Sequence, residues 1–190
     1  MKTKITLFKI AVVIILLLNV FTLFSQNKVT INISQDAKLL LVGDNHGNSA
    51  GTLDIAIRSE WQAKQGALGY IFIAPEIEIA DLQETYKRYS ANVGYTFNLG
   101  RVFQKRELEN IETTASIGYG VIDHYEGFQS WGANFQISYK VFKKVKVFLD
   151  LELTERRDLS LWNEKYNDFQ NRIKPSGKFG VKINIIDNCI

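Results

Sequence analysis

Apolar and polar residues alternate along most of the chain. From Thr52 onwards, Leu53, Ile55, Ile57 and Trp61 share one parity, and Asp54, Arg58 and Glu60 share the other. That is the period of a β-strand with one apolar and one charged face. Ser59 alone interrupts the apolar side. The period returns at Ile71, Ile73, Ile77 and Ile79 against Glu76 and Glu78, then at Tyr89, Ala91, Val93, Tyr95 and Phe97 against Arg88, Ser90, Asn92, Thr96 and Asn98. Ala115, Ile117, Tyr119 and Val121 oppose Glu112, Thr114, Ser116, Gly118 and Gly120. Trp131, Ala133, Phe135, Ile137, Tyr139 and Val141 oppose Asn134, Gln136, Ser138 and Lys140. Beyond a tight turn at Lys143 and Lys144, Val145, Val147, Leu149, Leu151 and Leu153 oppose Lys146, Asp150, Glu152 and Arg156. Last come Phe179, Val181, Ile183 and Ile185 against Lys178, Gly180, Lys182 and Asn184.

An eighth strand is expected over Val29 to Val42, where Val29, Ile31, Ile33, Ala37, Leu39 and Leu41 share a parity that Leu40 and Val42 break. A 3.6-residue period is almost absent. The pattern predicts an all-β chain: a closed antiparallel β-barrel of eight strands in an up-and-down meander. The connections sort by length, with long loops at 44–51, 80–85, 123–130 and 157–175 on one rim. Those at 63–67, 99–109 and 142–144 lie on the other, together with both termini.

Alternation alone does not say which face points outward. A soluble lipocalin-like barrel with an apolar cavity and a membrane barrel with an apolar exterior have the same period. The aromatic residues favour the membrane. Trp61, Tyr95, Phe97 and Tyr139 fall toward the short-turn rim, Tyr89, Tyr119 and Trp131 toward the long-loop rim, and Ile55, Ala91, Val93, Ala133 and Leu149 lie between. Two aromatic belts around an aliphatic band suit the two headgroup layers of a bilayer.

With that orientation the charged face lines the interior. Asp54, Glu60, Glu76, Glu78, Glu112, Asp150 and Glu152 would balance Arg58, Arg88, Lys140, Lys146, Arg156, Lys178 and Lys182. Eight strands leave an interior only wide enough for side chains, and an unpaired charge there is costly. A balanced set therefore predicts a closed, ion-paired plug rather than a pore.

The N-terminus has a different composition. Met1 to Lys9 carries Lys2, Lys4 and Lys9 without an acid, and Ile10 to Phe24 is apolar apart from Asn19 and Thr22. A basic start followed by a short apolar run reads as a cleavable signal peptide over residues 1–25, with the barrel domain over 26–190. The apolar run is shorter than the about 20 residues a spanning helix needs. Those three lysines account for the whole excess of 23 basic over 20 acidic residues in the 190-residue chain, so the net charge gives no support for a nucleic-acid partner. A single cysteine, Cys189, excludes an intrachain disulfide and a thiolate metal cluster.

Stretches such as YSANVGYTFNLG, from Tyr89 to Gly100, and GKFGVKINI, from Gly177 to Ile185, resemble the small eight-stranded outer-membrane barrels of Gram-negative bacteria, the OmpX and OmpW type of fold. The resemblance is one of pattern and brings no catalytic motif. It implies residence in the outer membrane, contact with outer-membrane lipid and lipopolysaccharide, and biogenesis through the barrel-insertion machinery. One departure is the terminus: barrels of this type usually end on an aromatic residue, and this chain continues into Asp187, Asn188, Cys189 and Ile190.

Residues outside the strands suggest little chemistry. Gly43 to Asn48 carries Asp44, Asn45 and His46, which echo one fragment of a metallophosphoesterase signature, but no second histidine cluster follows. His124 stands near Asp123, Glu126 and Ser130, the residue types of a lipid hydrolase. The expectation is no enzyme, no cofactor and no metal. Asp158 to Asn171 carries Trp162, Tyr166 and Phe169 among charges, a candidate extracellular contact loop for an unknown ligand or protein. The expected function is structural, adhesive or interaction-based. A small passive channel or conduit for hydrophobic compounds is the alternative, and a soluble periplasmic lipocalin-like binder the second.

Overall fold

The computed structural model describes residues 28–43, 48–63, 66–82, 85–161 and 163–186. Eight strands follow in order: β1 (Val29–Asp36), β2 (Asp54–Gln62), β3 (Gly69–Asp81), β4 (Thr85–Asn98), β5 (Ile111–His124), β6 (Glu126–Phe142), β7 (Val145–Glu155) and β8 (Ile173–Ile186). Each pairs antiparallel with the next, and β1 pairs with β8, so the sheet closes without a free edge. The membrane barrel read from the alternation is the fold observed.

Register fixes which side chains face out. Ile33 is paired with Ile57, Ile57 with Ile77, Ile77 with Tyr89 and Tyr89 with Val121; on the other side Ile33 meets Val181. Farther round, Ile137 meets Leu149 and Leu149 meets Phe179. All of these except Val121's further partner Gln129 are apolar, and Ile57, Ile117, Phe135, Leu149 and Leu151 are exposed while Arg58, Glu60, Glu76 and Lys182 are buried. A soluble barrel has the reverse arrangement. So large a continuous apolar exterior requires hydrocarbon around it, which overturns the lipocalin-like alternative. Ser59, the polar residue on this face, accepts a hydrogen bond from Trp61 Nε1 at 3.0 Å.

Several boundaries differ from the sequence reading. The first strand stops at Asp36, whose carboxylate accepts the Leu39 amide at 2.8 Å and starts a helical turn, α1 (Ala37–Leu41). Leu40 and Val42 break the parity because they lie beyond the strand. No loop exists at 123–130: His124 is paired with Glu126 and the turn is Tyr125 alone, at φ 67°. The connection at 99–110 is instead one of the longer ones and holds a short helix, α2 (Leu99–Phe103), capped by Asn98 and ended by Gln104 at φ 55°. Long and short connections therefore occur on both rims. On the rim away from the termini the extended ones are 37–53 and 156–172; the latter contains 3-10 turns at Arg157–Leu161 and Glu164–Asn167 and the helical turn α3 (Phe169–Arg172).

The interior is not uniformly polar. Tyr70, Phe72 and Ala74 form one apolar cluster and Ala80, Tyr86 and Ile122 another, both on the inward parity. Bulky inward groups fit because the facing strand carries glycine. A Cβ on Gly94 would strike the Phe72 ring, and one on Gly132 would strike the Arg88 guanidinium.

Candidate functional site

Charged residues fill the barrel from end to end. Near the terminal rim, Glu60 accepts from Lys182 Nζ at 2.9 Å, Asn32 Nδ2 at 2.6 Å and Thr30 Oγ1 at 3.3 Å. Beside it Lys146 donates to Glu112, which Tyr70 Oη also reaches at 3.4 Å. In the middle, Arg58 donates to Glu76 and stands 3.8 Å from Asp150. Arg88 donates to Glu152 and lies 3.8 Å from Glu76 and 3.6 Å from Glu78. Lys178 bridges Glu78 and Glu152, the latter at 2.8 Å. Asp150, Arg58, Glu76, Arg88, Glu152, Lys178 and Glu78 thus make one connected network across β2, β3, β4, β7 and β8. Glu60, Phe72 and Lys182 have no exposed surface at all.

Two residues expected in this set lie elsewhere. Lys140 is exposed at the terminal rim, beside a register shift between Lys140 and Phe142. Lys140 is paired with Lys146, and Lys146 with Lys182, so three cations are adjacent across β6, β7 and β8. Glu112 and Glu60 neutralise two of them, and repulsion leaves the outermost, Lys140, to water. Arg156 lies one residue beyond β7 and binds Asp158 through Nε at 2.9 Å and Nη2 at 2.7 Å. The interior therefore holds the bases Arg58, Arg88, Lys146, Lys178 and Lys182 against seven acids, not the balanced set expected.

Arg156 belongs to a second cluster at the mouth of the barrel. Its guanidinium lies 4.3 Å above the Tyr86 ring, and Tyr86 meets His124 edge-on at 5.9 Å. His124 Nδ1 lies 2.9 Å from Asp158 Oδ2. Burial works to raise the Asp158 carboxyl, but the bidentate Arg156 and the His124 contact outweigh it and hold the group below the ordinary carboxylate range. Glu155 binds Arg157 at 2.8 Å and Arg172 at 3.7 Å, which fastens both ends of the 156–172 loop. Ser130 Oγ is buried and donates to the Glu155 carbonyl at 2.8 Å. It is committed to the backbone and is not hydrogen-bonded to His124.

The contact-loop residues divide. Tyr166 is buried, with Lys165 Nζ at 4.9 Å and Lys174 Nζ at 4.4 Å from its ring. It packs over the mouth and is no contact surface; of the two described candidates, Phe169, 58% exposed, faces outward. Trp162, Cys189, the segment 44–47 and residues 1–27 lie outside the described residues. On the outer wall, Tyr119 and Trp131 stack at 4.7 Å, and Tyr95 and Phe97 at 4.5 Å. Trp61, Tyr89 and Tyr139 are exposed on the same wall.

The alternation gives no place in the mouth cluster to Tyr86, Glu155, Asp158 and Arg172. Tyr86 has inward parity in β4, which was its only signal. The other three stand at or beyond the end of β7, where no period operates.

Above the network the mouth encloses a cavity of about 510 Å³, with Asp36, Asp54, Glu78, Tyr86, His124 and Arg156 among its walls. Among the described residues no group of three histidine, cysteine or carboxylate side chains could hold a metal ion.

No protein-family model matches the chain, and no curated protein matches it. Solved structures do. The outer-membrane protein Ail of Yersinia pestis, in a phospholipid bilayer nanodisc, superposes with a TM-score of 0.52 at 9% identity, covering 84% of this chain and 99% of Ail. A de novo designed transmembrane β-barrel gives 0.46 at 8% identity over 83% and 95% of the two chains. Neisserial surface protein A gives 0.43 at 12% identity over 84% and 97%. The match to Ail is a likeness of fold: the small outer-membrane type of eight-stranded barrel.

Proposed function

We propose that the chain is exported by a signal peptide over residues 1–25, and that residues 26–190 reside in the outer membrane as a closed, non-conducting barrel. Its role is structural or interaction-based, exerted at the rim built from the 37–53 and 156–172 connections. The observation that carries this reading is the connected network from Asp150 through Arg58, Glu76, Arg88 and Glu152 to Lys178 and Glu78, with Phe72 buried on the inward side of β3. Ion-paired side chains that span the lumen of an eight-stranded barrel fill the space a hydrated path would need. The outer wall meets lipid and the polar headgroups of lipopolysaccharide, and insertion depends on the barrel-insertion machinery. No enzymatic chemistry is part of the reading: Ser130 stands opposite Gly120, four residues along β5 from His124, and its hydroxyl is bound to a carbonyl. The protein purified from outer membranes, with its N-terminus at Gln26, should show no steady conductance steps in planar bilayers. Reproducible single-channel steps would defeat the closed reading and favour the passive conduit.

A further inference from the structure

With Arg156 and Lys140 outside the interior, five bases serve seven acids, and even with Arg58 shared between two of them one acid stands apart from every cation among the described residues. Glu60 has Lys182, Glu112 has Lys146, Glu76 and Asp150 have Arg58, Glu152 has Arg88, and Glu78 has Lys178, each within 4 Å. Asp54 has no such cation among the described residues. It opens β2, is 7% exposed and is one of the residues lining the mouth cavity, and its Oδ1 is buried without a hydrogen-bond partner. Lys178, lower in the lumen, is committed to Glu78 and Glu152. A buried carboxylate beside a cavity, with no cation of its own, calls for one from outside the chain.

The same cavity has the opposite charge at its outer edge. Lys38 of α1, Lys165 of the 156–172 loop and Lys174 of β8 line it, and the last two flank the Tyr166 ring. Lys174 stands four residues beyond Lys178 along β8, about 13 Å of strand, or about 10 Å of height at a tilt of roughly 40°. Tyr86 and Tyr166 add aromatic surface to the cavity wall. A volume of about 510 Å³ is within the range of small-molecule clefts, roughly 300–1,000 Å³.

We propose that this vestibule binds a small zwitterion, its ammonium group on Asp54 and its acidic group at Lys165 and Lys174. The ligand is held above the plug and does not cross it. The test uses the isotopically labelled, folded barrel in phospholipid nanodiscs, titrated with 6-aminohexanoate, hexylamine, hexanoate and hexanol while amide resonances are followed. 6-Aminohexanoate should give saturable shifts at Asp54, Ala80 and Lys174, with hexanoate and hexanol at least tenfold weaker. D54N should weaken 6-aminohexanoate and hexylamine at least tenfold. A K165A/K174A double variant should weaken 6-aminohexanoate and leave hexylamine unchanged. Equal binding to D54N, no saturable response, or shifts confined to the lipid-facing wall would overturn the proposal. Should D54N not fold, hexanol binding as tightly as hexylamine would overturn it in the unaltered protein.

Discussion

Asp158 Oδ2 lies 2.9 Å from His124 Nδ1, across the 33 residues that separate the tip of the β5–β6 hairpin from the start of the 156–172 loop. The carboxylate is fully buried and also takes two hydrogen bonds from Arg156. It joins the loop to the barrel wall. Replacing Asp158 with Ala would leave Arg156 and His124 without their shared acceptor, and removing one partner of a buried pair costs about 3–5 kcal/mol. The effect should be largely local, because Asp158 itself touches no member of the lower ion network; the link between the two runs through Tyr86, whose Oη donates to Glu78 Oε2 at a long 3.5 Å. Limited proteolysis of folded D158A should cut within 156–172 at a rate the parent does not show, while the heat-modifiable band of the barrel persists.

Acid should weaken the same joint. The Asp158 carboxyl titrates below the ordinary carboxylate range when folded. Its contribution is therefore complete above the unfolded value of about 3.9 and is lost as pH falls through the lower folded value. Protease resistance of the loop should hold down to about pH 4 and fall below it. D158N should be less resistant at neutral pH and should lose no further resistance over that acid range from this source.

Most of the wall was legible because a strand's period is indifferent to detail. Ile57, Val93 and Leu149 occupy their expected side, and so do Arg58, Glu76 and Lys178. The ends were not legible. Lys140 has inward parity, but adjacency to Lys146 and Lys182 is a property of register, which a single strand does not display. Arg156 continues the parity of β7 by one residue after the strand has ended, and its partner Asp158 lies in a segment with no period. Tyr166 looked like an exposed ring because nothing local shows that the 156–172 loop folds back over the mouth.

Arg88 is the hinge of the interior network, with Glu152, Glu76 and Glu78 around one guanidinium. R88M keeps the volume and removes the charge, leaving those acids with Arg58 and Lys178 alone. Destabilisation of about 3–5 kcal/mol is expected in urea unfolding from lipid vesicles. The double variant R88M/E152M should recover part of the loss, since it removes the best-placed acid with the base. No recovery would show that Arg88 is held by packing and not by charge.

The glycine facing Arg88 gives an independent measure of how tightly the lumen is filled. A methyl group on Gly132 would overlap the Arg88 guanidinium, so G132A should force that side chain off Glu152 and cost about 1–3 kcal/mol. In the R88M background the flexible thioether can yield, and G132A should then cost less than 1 kcal/mol. Equal costs in both backgrounds would mean that the methyl group meets no obstacle.

The lipid-facing assignment can be tested at a residue that touches none of these clusters. Leu149 lies between Ile137 and Phe179 on the outer wall and is 68% exposed. In water such a position would accept lysine almost without cost, since exposed substitutions rarely shift stability by more than about 0.5 kcal/mol. In hydrocarbon, a lysine near the midplane of a barrel wall costs about 2–4 kcal/mol. L149K should accordingly lose that amount in lipid vesicles, whereas K140Q, at the wet rim, should change stability by no more than about 0.5 kcal/mol. The contrast separates a membrane wall from a solvated one: a neutral L149K would place Leu149 in contact with water and remove the apolar exterior from the account of this fold.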